Sequence, residues 1–352
     1  MSDSHDAPES EAAARAPGER CAHRRRRRSP WVVLHLALAV VSVAALVLLV
    51  VLRAPATVVE GPLPQGLDAL RPLCAPLPEP GPGDWLAQHR EPGQTYAAWL
   101  VADRVQPEVG RRTIAVHPLG PFTDGQGRIL AHTVEYLRVC FNVPVRVHPA
   151  IPLDNVAEAA RRRNPHTGQP QILTTWVLDD LADRLQDDEV VALALTASDL
   201  WPGRGWNFVF GQASLVDRVG VWSLYRNGDA DGSPEDFRLC LLRTLKTATH
   251  ETGHMFGMRH CTAYHCNMCG SNHRAESDAQ PLANCPECLA KFLHVGAADA
   301  VVRFAALAEF CRDNGLHREA AVFQRSRAVL RGAAEAGPQP ATTGDQAPAR
   351  PQ

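Results

Sequence analysis

Residues 250–269 read HETGHMFGMRHCTAYHCNMC, and seven of these twenty are histidine or cysteine: His250, His254, His260, Cys261, His265, Cys266 and Cys269. That is more ligands than one tetrahedral ion takes. His250 and His254 are four apart, so on a helix they share one face, about one turn apart. Glu251 stands beside the first of them. Gly257 follows three residues after His254, where a helix can end in the left-handed turn that glycine adopts at low cost. Such a turn can carry His260 back toward the other two histidines. Three imidazoles leave the fourth position of a tetrahedral zinc to water, which is the layout of a catalytic site.

The reading extends outward on both sides. Upstream, PEDFRLCLLRTLKTATHETGHMFGM predicts one long helix over 234–258, with Pro234 in its first turn, Ser233 as cap and an apolar stripe of Leu241, Leu242, Leu245 and Ala248. Downstream, Cys285 and Cys288 form the tight pair CPEC. His260 and Cys261 are neighbours and leave the chain in different directions, so the simplest reading gives each to a different ion. Four thiolates make a closed structural zinc site. The upstream pair of that site stays open on spacing alone. Cys266 and Cys269 with Cys285 and Cys288 give C-x2-C-x15-C-x2-C, a zinc pattern in its own right. His265 is a further option.

The stretch HETGHMFGMRHCTAYHCNMCGSNHRAESDAQPLANCPECLAKF resembles the archaemetzincin family, and so do DWLAQHREPGQTYAAWL (84–100), HPLGPF (117–122), NFVFGQA (207–213) and VGVWSLYR (219–226). The resemblance covers roughly 84–296. It implies a metzincin-type zincin fold with a twisted mixed sheet, a long active-site helix and a C-terminal part stabilised by a four-cysteine zinc site. It implies two zinc ions per chain. Carried over by position, His250, His254 and His260 hold the catalytic zinc, Glu251 is the catalytic base and Met268 is the Met-turn residue. Cys261 and Cys266 join Cys285 and Cys288 at the structural zinc, which leaves His265 and Cys269 free. No tyrosine follows Met268, so an oxyanion-stabilising tyrosine from that turn is unavailable. Metzincin-like peptidases bind an extended peptide along a sheet edge by strand addition. The expected edge is Asn207, Phe208, Val209, Phe210, Gly211, Gln212 and Ala213.

The rest of the chain bounds these expectations. A formal net charge of -2 gives no global basic field, so nucleic acid is not an expected partner. Lysine occurs only at 246 and 291. Residues 1–30 read as a disordered basic tail ending in RRRRR at 24–28. The run 31–52, WVVLHLALAVVSVAALVLLVVL, is 22 residues long, enough for a helix to cross a bilayer. Seven arginines precede it and Arg53 follows, which predicts a single-pass membrane protein with a cytoplasmic N-terminus and the peptidase domain outside. The lipid bilayer is then a partner, beside a peptide or protein substrate. In that more oxidising compartment the clustered cysteines could pair as disulfides, although zinc is the preferred reading.

The stretch 53–83 is proline-rich and reads as a semi-extended spacer. The peptidase domain is expected over 84–331, with 297–331 a helical hairpin packed on it, and 332–352 a disordered tail. Within the domain, strands are expected over 112–119, 143–149, 190–200, 207–214 and 219–226, and helices over 127–141, 171–185 and 234–258. That order predicts an α+β chain, an α/β-like sandwich of helices on a sheet. The expected activity is zinc-dependent peptide hydrolysis by a water that Glu251 activates. The alternative is a catalytically silent, zinc-stabilised peptide-binding or scaffold protein, against which the intact Glu251 and histidines argue.

Overall fold

The computed structural model describes residues 62–335. The expected basic tail, the apolar span 31–52 and most of the C-terminal tail lie outside the described residues. Among the described residues no helix is long and apolar enough to cross a membrane. The longest, Pro234–Met255, carries Arg238, Arg243, Lys246 and Glu251 along its length. The expected single-pass membrane location, and with it the bilayer as a partner, is corrected and not retained.

Two short helices, α1 (Trp85–Gln88) and α2 (Tyr96–Val101), precede the first strand, β1 (Thr113–Leu119). Then come α3 (Asp124–Phe141), β2 (Val145–Val147), β3 (Arg161–Arg163), β4 (Pro170–Leu173) and α4 (Thr174–Arg184). Strands β5 (Glu189–Thr196), β6 (Asp199–Trp201), β7 (Gly211–Ala213) and β8 (Val219–Ser223) follow. The chain continues through α5 (Pro234–Met255), α6 (Arg274–Ala279), α7 (Pro286–Gly296), α8 (Ala300–Asp313) and α9 (His317–Glu335).

The main sheet has the order β2-β1-β5-β8-β7, parallel throughout except for β7, which pairs antiparallel with β8 at the edge. This is a mixed sheet in an α+β fold, as expected. The central strand β5 (EVVALALT) is buried at every position, the near-continuous apolar run that a sheet covered on both faces requires. One face, through Ile114, Val116, Leu193 and Leu195, packs on the stripe Leu241, Leu245 and Ala248 of α5. The other face, through Leu119, Ala194, Val219 and Val221, packs on Val177 and Leu181 of α4. A small second sheet, β3-β4-β6, lies beside it.

Several boundaries differ from expectation; the helix expected over 171–185 starts only at Thr174, because residues 170–173 form β4. The strand expected over 190–200 breaks at Ala197 and Ser198, and its two pieces join different sheets. The strand expected over 207–214 is ordered as a ladder only at 211–213. Ahead of it, Val209 bridges to Leu200 of β6 instead of β8, and the rings of Phe208 and Phe210 stack under the guanidinium groups of Arg226 and Arg274 at 3.6 and 4.1 Å. The spacer reading also stops short of 83. Residues Leu67–Leu73 form a 3-10 helix that buries Leu67 and Leu70 in the main core, and Leu77 donates its N–H to the Ala263 carbonyl at 3.0 Å. Proline richness there reflects a stiff packed strap. The C-terminal hairpin is a helix pair turned at Asn314 and Gly315, docked through Phe310 on Tyr136 of α3, and α9 continues to Glu335.

Candidate active site

The long helix starts cleanly because Ser233 and Asp236 form a capping box ahead of Pro234. It stops at Gly257, whose φ of 75° is the left-handed turn. Gly257 donates to the His254 carbonyl at 2.8 Å and Met258 to the Gly253 carbonyl at 3.1 Å, the paired bonds of a Schellman motif. The turn sends the chain back across the helix end, and His260 meets His250 and His254. Ring centroids of the three stand 4.5 to 5.2 Å apart, and one ring nitrogen of each lies within 4.8 Å of the others.

Each imidazole is oriented from behind. His250 Nδ1–H donates to the Asn267 carbonyl at 2.9 Å, and His254 Nδ1–H to the Met258 carbonyl at 2.6 Å. His260 Nδ1–H donates to the Glu91 carboxylate at 2.8 Å. With the Nδ1 protons committed, the Nε2 atoms face one another as lone pairs, His250 to His254 at 2.9 Å. Burial, then the neighbouring His260, pushes His250 down to about 3. Burial, then His250 and His260, holds His254 well below its ordinary range. Three converging imidazoles whose Nδ1 protons are committed elsewhere fit a shared cation, and imidazoles are ligands of zinc class.

Glu251 is 7% exposed and lines the same cleft. Burial raises its carboxyl to about 8. It lies flat against the edge strand: a Cβ on Gly211 would come within 2.7 Å of its Oε1. Met268 is fully buried under the helix, where a Cβ on Gly253 would come within 2.8 Å of its Sδ. The cleft, about 480 Å³, runs along β7 and is lined by Trp206, Phe208, Phe210, Lys246, Asn272 and Gln280 among others.

Glu91 is the functional candidate that sequence reasoning missed. It lies in a piece carrying the family resemblance, but nothing in its own neighbourhood points to His260. Burial alone would raise its carboxyl; hydrogen bonds from His260 and Trp85 and the field of the neighbouring imidazoles bring it below the ordinary value. Trp85 donates Nε1–H to Glu91 at 3.0 Å and sets its ring edge-on to His260 at 5.1 Å. Gln94 ties the same segment to the helix end, donating to the Gly257 carbonyl at 3.2 Å and accepting from Arg259 N–H at 3.0 Å.

A second cluster lies directly behind the first. Cys261, Cys266, Cys285 and Cys288 bring four buried sulfur atoms within 4.8 Å of one another. Cys261 and Cys285 are 3.7 Å apart, and Cys285 N–H donates to Cys266 Sγ at 3.3 Å. The cysteines of the described residues are free, so the disulfide alternative is not what this packing forms. Hydrogen bonding from Cys266, Cys269, Cys285 and Cys288 holds the Cys261 thiol well below its ordinary range. Four converging sulfur atoms fit a closed tetrahedral zinc site, which all four cysteines would enter as thiolates. Cys269 is buried nearby but gives its Sγ–H to the Tyr264 carbonyl at 3.1 Å, and it is not among the four. His265 stands outside both groups.

The family model for Peptidase family M54 matches residues 170–294. Archaemetzincin-2 of Macaca fascicularis is 31% identical over 290 residues, covering 72% of this chain and 79% of that one. Archaemetzincin-2 of Homo sapiens is 32% identical over 276 residues, covering 68% and 75%. The crystal structure of archaemetzincin from Methanopyrus kandleri is 27% identical with a TM-score of 0.43, over 55% of this chain and 99% of that chain. The helix histidines and glutamate, the third histidine returned by the glycine turn and the four cysteines behind it all lie within the residues that the family model matches, and the chain is a member of the archaemetzincin family of zinc-dependent metallopeptidases.

Proposed function

We propose that the cleft hydrolyses peptide bonds in an extended peptide or protein substrate, with His250, His254 and His260 holding a zinc ion and Glu251 as the base. The observation that carries this reading is the convergence of three Nε2 lone pairs, each Nδ1 already committed, beside a buried glutamate. Zinc supplies Lewis acidity there: it polarises the scissile carbonyl and brings the ionisation of a bound water to about pH 7. Glu251 takes the proton as the water oxygen bonds to the carbonyl carbon. It returns that proton to the amine nitrogen as the C–N bond breaks. Burial by itself raises its carboxyl, and the charge of a bound ion would favour the carboxylate form that the base needs.

The edge strand positions the substrate. The Phe210 carbonyl accepts from Ser223 N–H and Ser214 N–H donates to the Val219 carbonyl, both toward β8. By antiparallel alternation, the main-chain groups of Gly211 and Ala213 face away from the sheet. They are free to pair with an added peptide strand, and Glu251 lies against the first of them. A second zinc, held by Cys261, Cys266, Cys285 and Cys288, fixes the loop behind His260.

Two variants test the reading on a peptide library with elemental analysis alongside. Glu251→Gln keeps fold and zinc and loses nearly all turnover. His250→Ala loses the zinc of the cleft and turnover together. Full hydrolysis by a zinc-loaded Glu251→Gln protein refutes the assigned base. Absence of cleavage by the unaltered, zinc-loaded chain favours the peptide-binding alternative.

A further inference from the structure

A third group of ligand-type side chains sits on the opposite face of the main sheet from α5. His117 is on β1, His148 follows β2, and Glu189 begins β5, so three adjacent strands each contribute one residue. One ligand atom of each lies within 4.8 Å of the others. The two imidazole rings are parallel within 1° at a centroid distance of 4.3 Å. His148 Nε2 contacts Glu189 Oε1 at 2.6 Å, and the glutamate is fully buried.

One atom in this group has no explanation from the fold alone. His117 is 4% exposed, and its Nε2 is buried without a hydrogen-bond partner. An unpaired polar atom in a packed interior costs about 1–3 kcal/mol. The strand does not force the residue there: β1 places the apolar Leu119 and Ala115 on the same buried face. A buried, unpaired ring nitrogen beside a second imidazole and a carboxylate is a donor set that a metal ion can use once the stacked rings tilt to bring their in-plane lone pairs to one point.

We propose that His117, His148 and Glu189 form a further site for a transition-metal ion of zinc type, separate from both clusters behind the cleft. The donor set decides the class. Two imidazoles and one carboxylate suit zinc, cobalt or nickel and do not suit calcium or magnesium, which take oxygen ligands. Zinc–nitrogen and zinc–oxygen bonds of about 2.0–2.2 Å set neighbouring ligands about 3.3 Å apart. The 2.6 Å contact of His148 and Glu189 must open slightly, as the 2.9 Å contact of His250 and His254 must. On binding, His148 would offer Nε2 to the ion, and the proton that Nε2 now shares with Glu189 Oε1 would have to leave that nitrogen. Glu189 keeps its second oxygen on the Gln186 N–H at 3.0 Å, which fixes the carboxylate's orientation. Arg146 also reaches Glu189 Oε1 at 3.2 Å, but Asp188 is its second and closer partner, and can hold the guanidinium when the ion takes that oxygen.

The geometry gives this ion a mechanical role. β2 is a three-residue edge strand, and His148 is anchored by its N–H to the Val116 carbonyl at 2.8 Å. An ion shared by β1, β2 and β5 clips the edge to the centre of the sheet.

The test is zinc stoichiometry by elemental analysis on the full chain, loaded with excess zinc and then desalted. His148→Ala is the first variant, because its side chain is at the sheet edge and its removal leaves the core intact. It is expected to hold one ion fewer per chain than the unaltered protein. His117→Gln, of similar size and polarity, is expected to show the same loss. A histidine-to-alanine change at 254 removes an ion from the cleft and leaves this one, so failure of the cleft reading and failure of this proposal give different patterns. Equal zinc in the unaltered chain and in folded His148→Ala overturns the site, and so does zinc that His148→Ala loses only through weak, non-saturating binding.

Discussion

Gly211→Ala separates catalysis from folding. The backbone at 211 is not in the left-handed region, so alanine carries no conformational penalty, and a strand accepts it more readily than glycine. The added Cβ would lie 2.7 Å from Glu251 Oε1 and 2.8 Å from its Cγ and Cδ. Non-bonded carbons rest about 3.5 Å or more apart, so the Glu251 side chain must retreat by about 0.7 Å. For folding this is cheap, since the obstacle is the end of a flexible side chain. For catalysis it is expensive, because a misplacement near 1 Å can cost about 100-fold. A loss of about 10- to 100-fold in kcat is expected, equivalent to roughly 1.4–2.7 kcal/mol of barrier. Steady-state kinetics on a cleaved library peptide, zinc content and thermal melting are read together. The expected pattern is low kcat, unchanged zinc and a Tm within a few degrees of the parent. An unchanged kcat in a folded, zinc-loaded Gly211→Ala protein refutes the placement of Glu251 against the edge strand.

Other outcomes follow from the same geometry. Cys261→Ser removes one thiolate of four, so it is expected to lose the structural ion and lower Tm, whereas Cys269→Ser keeps the zinc content of the parent; elemental analysis and melting decide between them. Glu91→Gln leaves the His260 Nδ1–H with a neutral acceptor in place of a carboxylate. Losing such an outer partner typically costs about 10–100-fold in metal affinity, measured by competition with a chelator. Lys246 is buried and burial lowers its ammonium to about 8, while its Nζ donates to the Ser277 and Asp278 carbonyls at 2.9 and 3.1 Å. Between pH 8 and the unfolded value of about 10.5 the unfolded chain binds the extra proton, so stability rises with pH across that window. The parent minus Lys246→Met difference in urea unfolding is expected to grow by at most about 3 kcal/mol from pH 8 to 10.5. A flat difference refutes the buried-charge assignment.

How much of this was legible beforehand depends on the range over which each signal acts. His250, Glu251, His254 and Gly257 lie within one helix and its stop, so spacing alone places them. The thiol cluster was legible as a set of candidates, and the family resemblance picked Cys261 over Cys269. The orienting partners were not legible: two are main-chain carbonyls, at Asn267 and Met258, which any residue type supplies. Glu91 is 169 positions from His260 and meets it only after the segment 85–94 wraps the helix end. The His117, His148 and Glu189 group depends on the strand order β2-β1-β5, which local periodicity does not contain. Composition misled at 67–73, where proline and leucine together make a packed 3-10 strap, and at 207–210, where aromatic residues stack on arginines instead of extending a strand.

His260 and Cys261 are consecutive, and the Cys261 N–H also donates to the Met268 carbonyl at 2.8 Å, while the next carbonyl back, that of Asn267, holds His250. The imidazole cluster and the thiol cluster are thus joined through one peptide bond and one short turn. If both clusters hold an ion, as proposed, affinity at one is tied to occupancy at the other, and by thermodynamic reciprocity the dependence runs equally in both directions. Filling the thiols first freezes the chain on both sides of the imidazoles and removes the ordering cost that the second loading would otherwise meet. On the proposed two-ion reading, loading of the two clusters would be cooperative, each ion favouring the binding of the other.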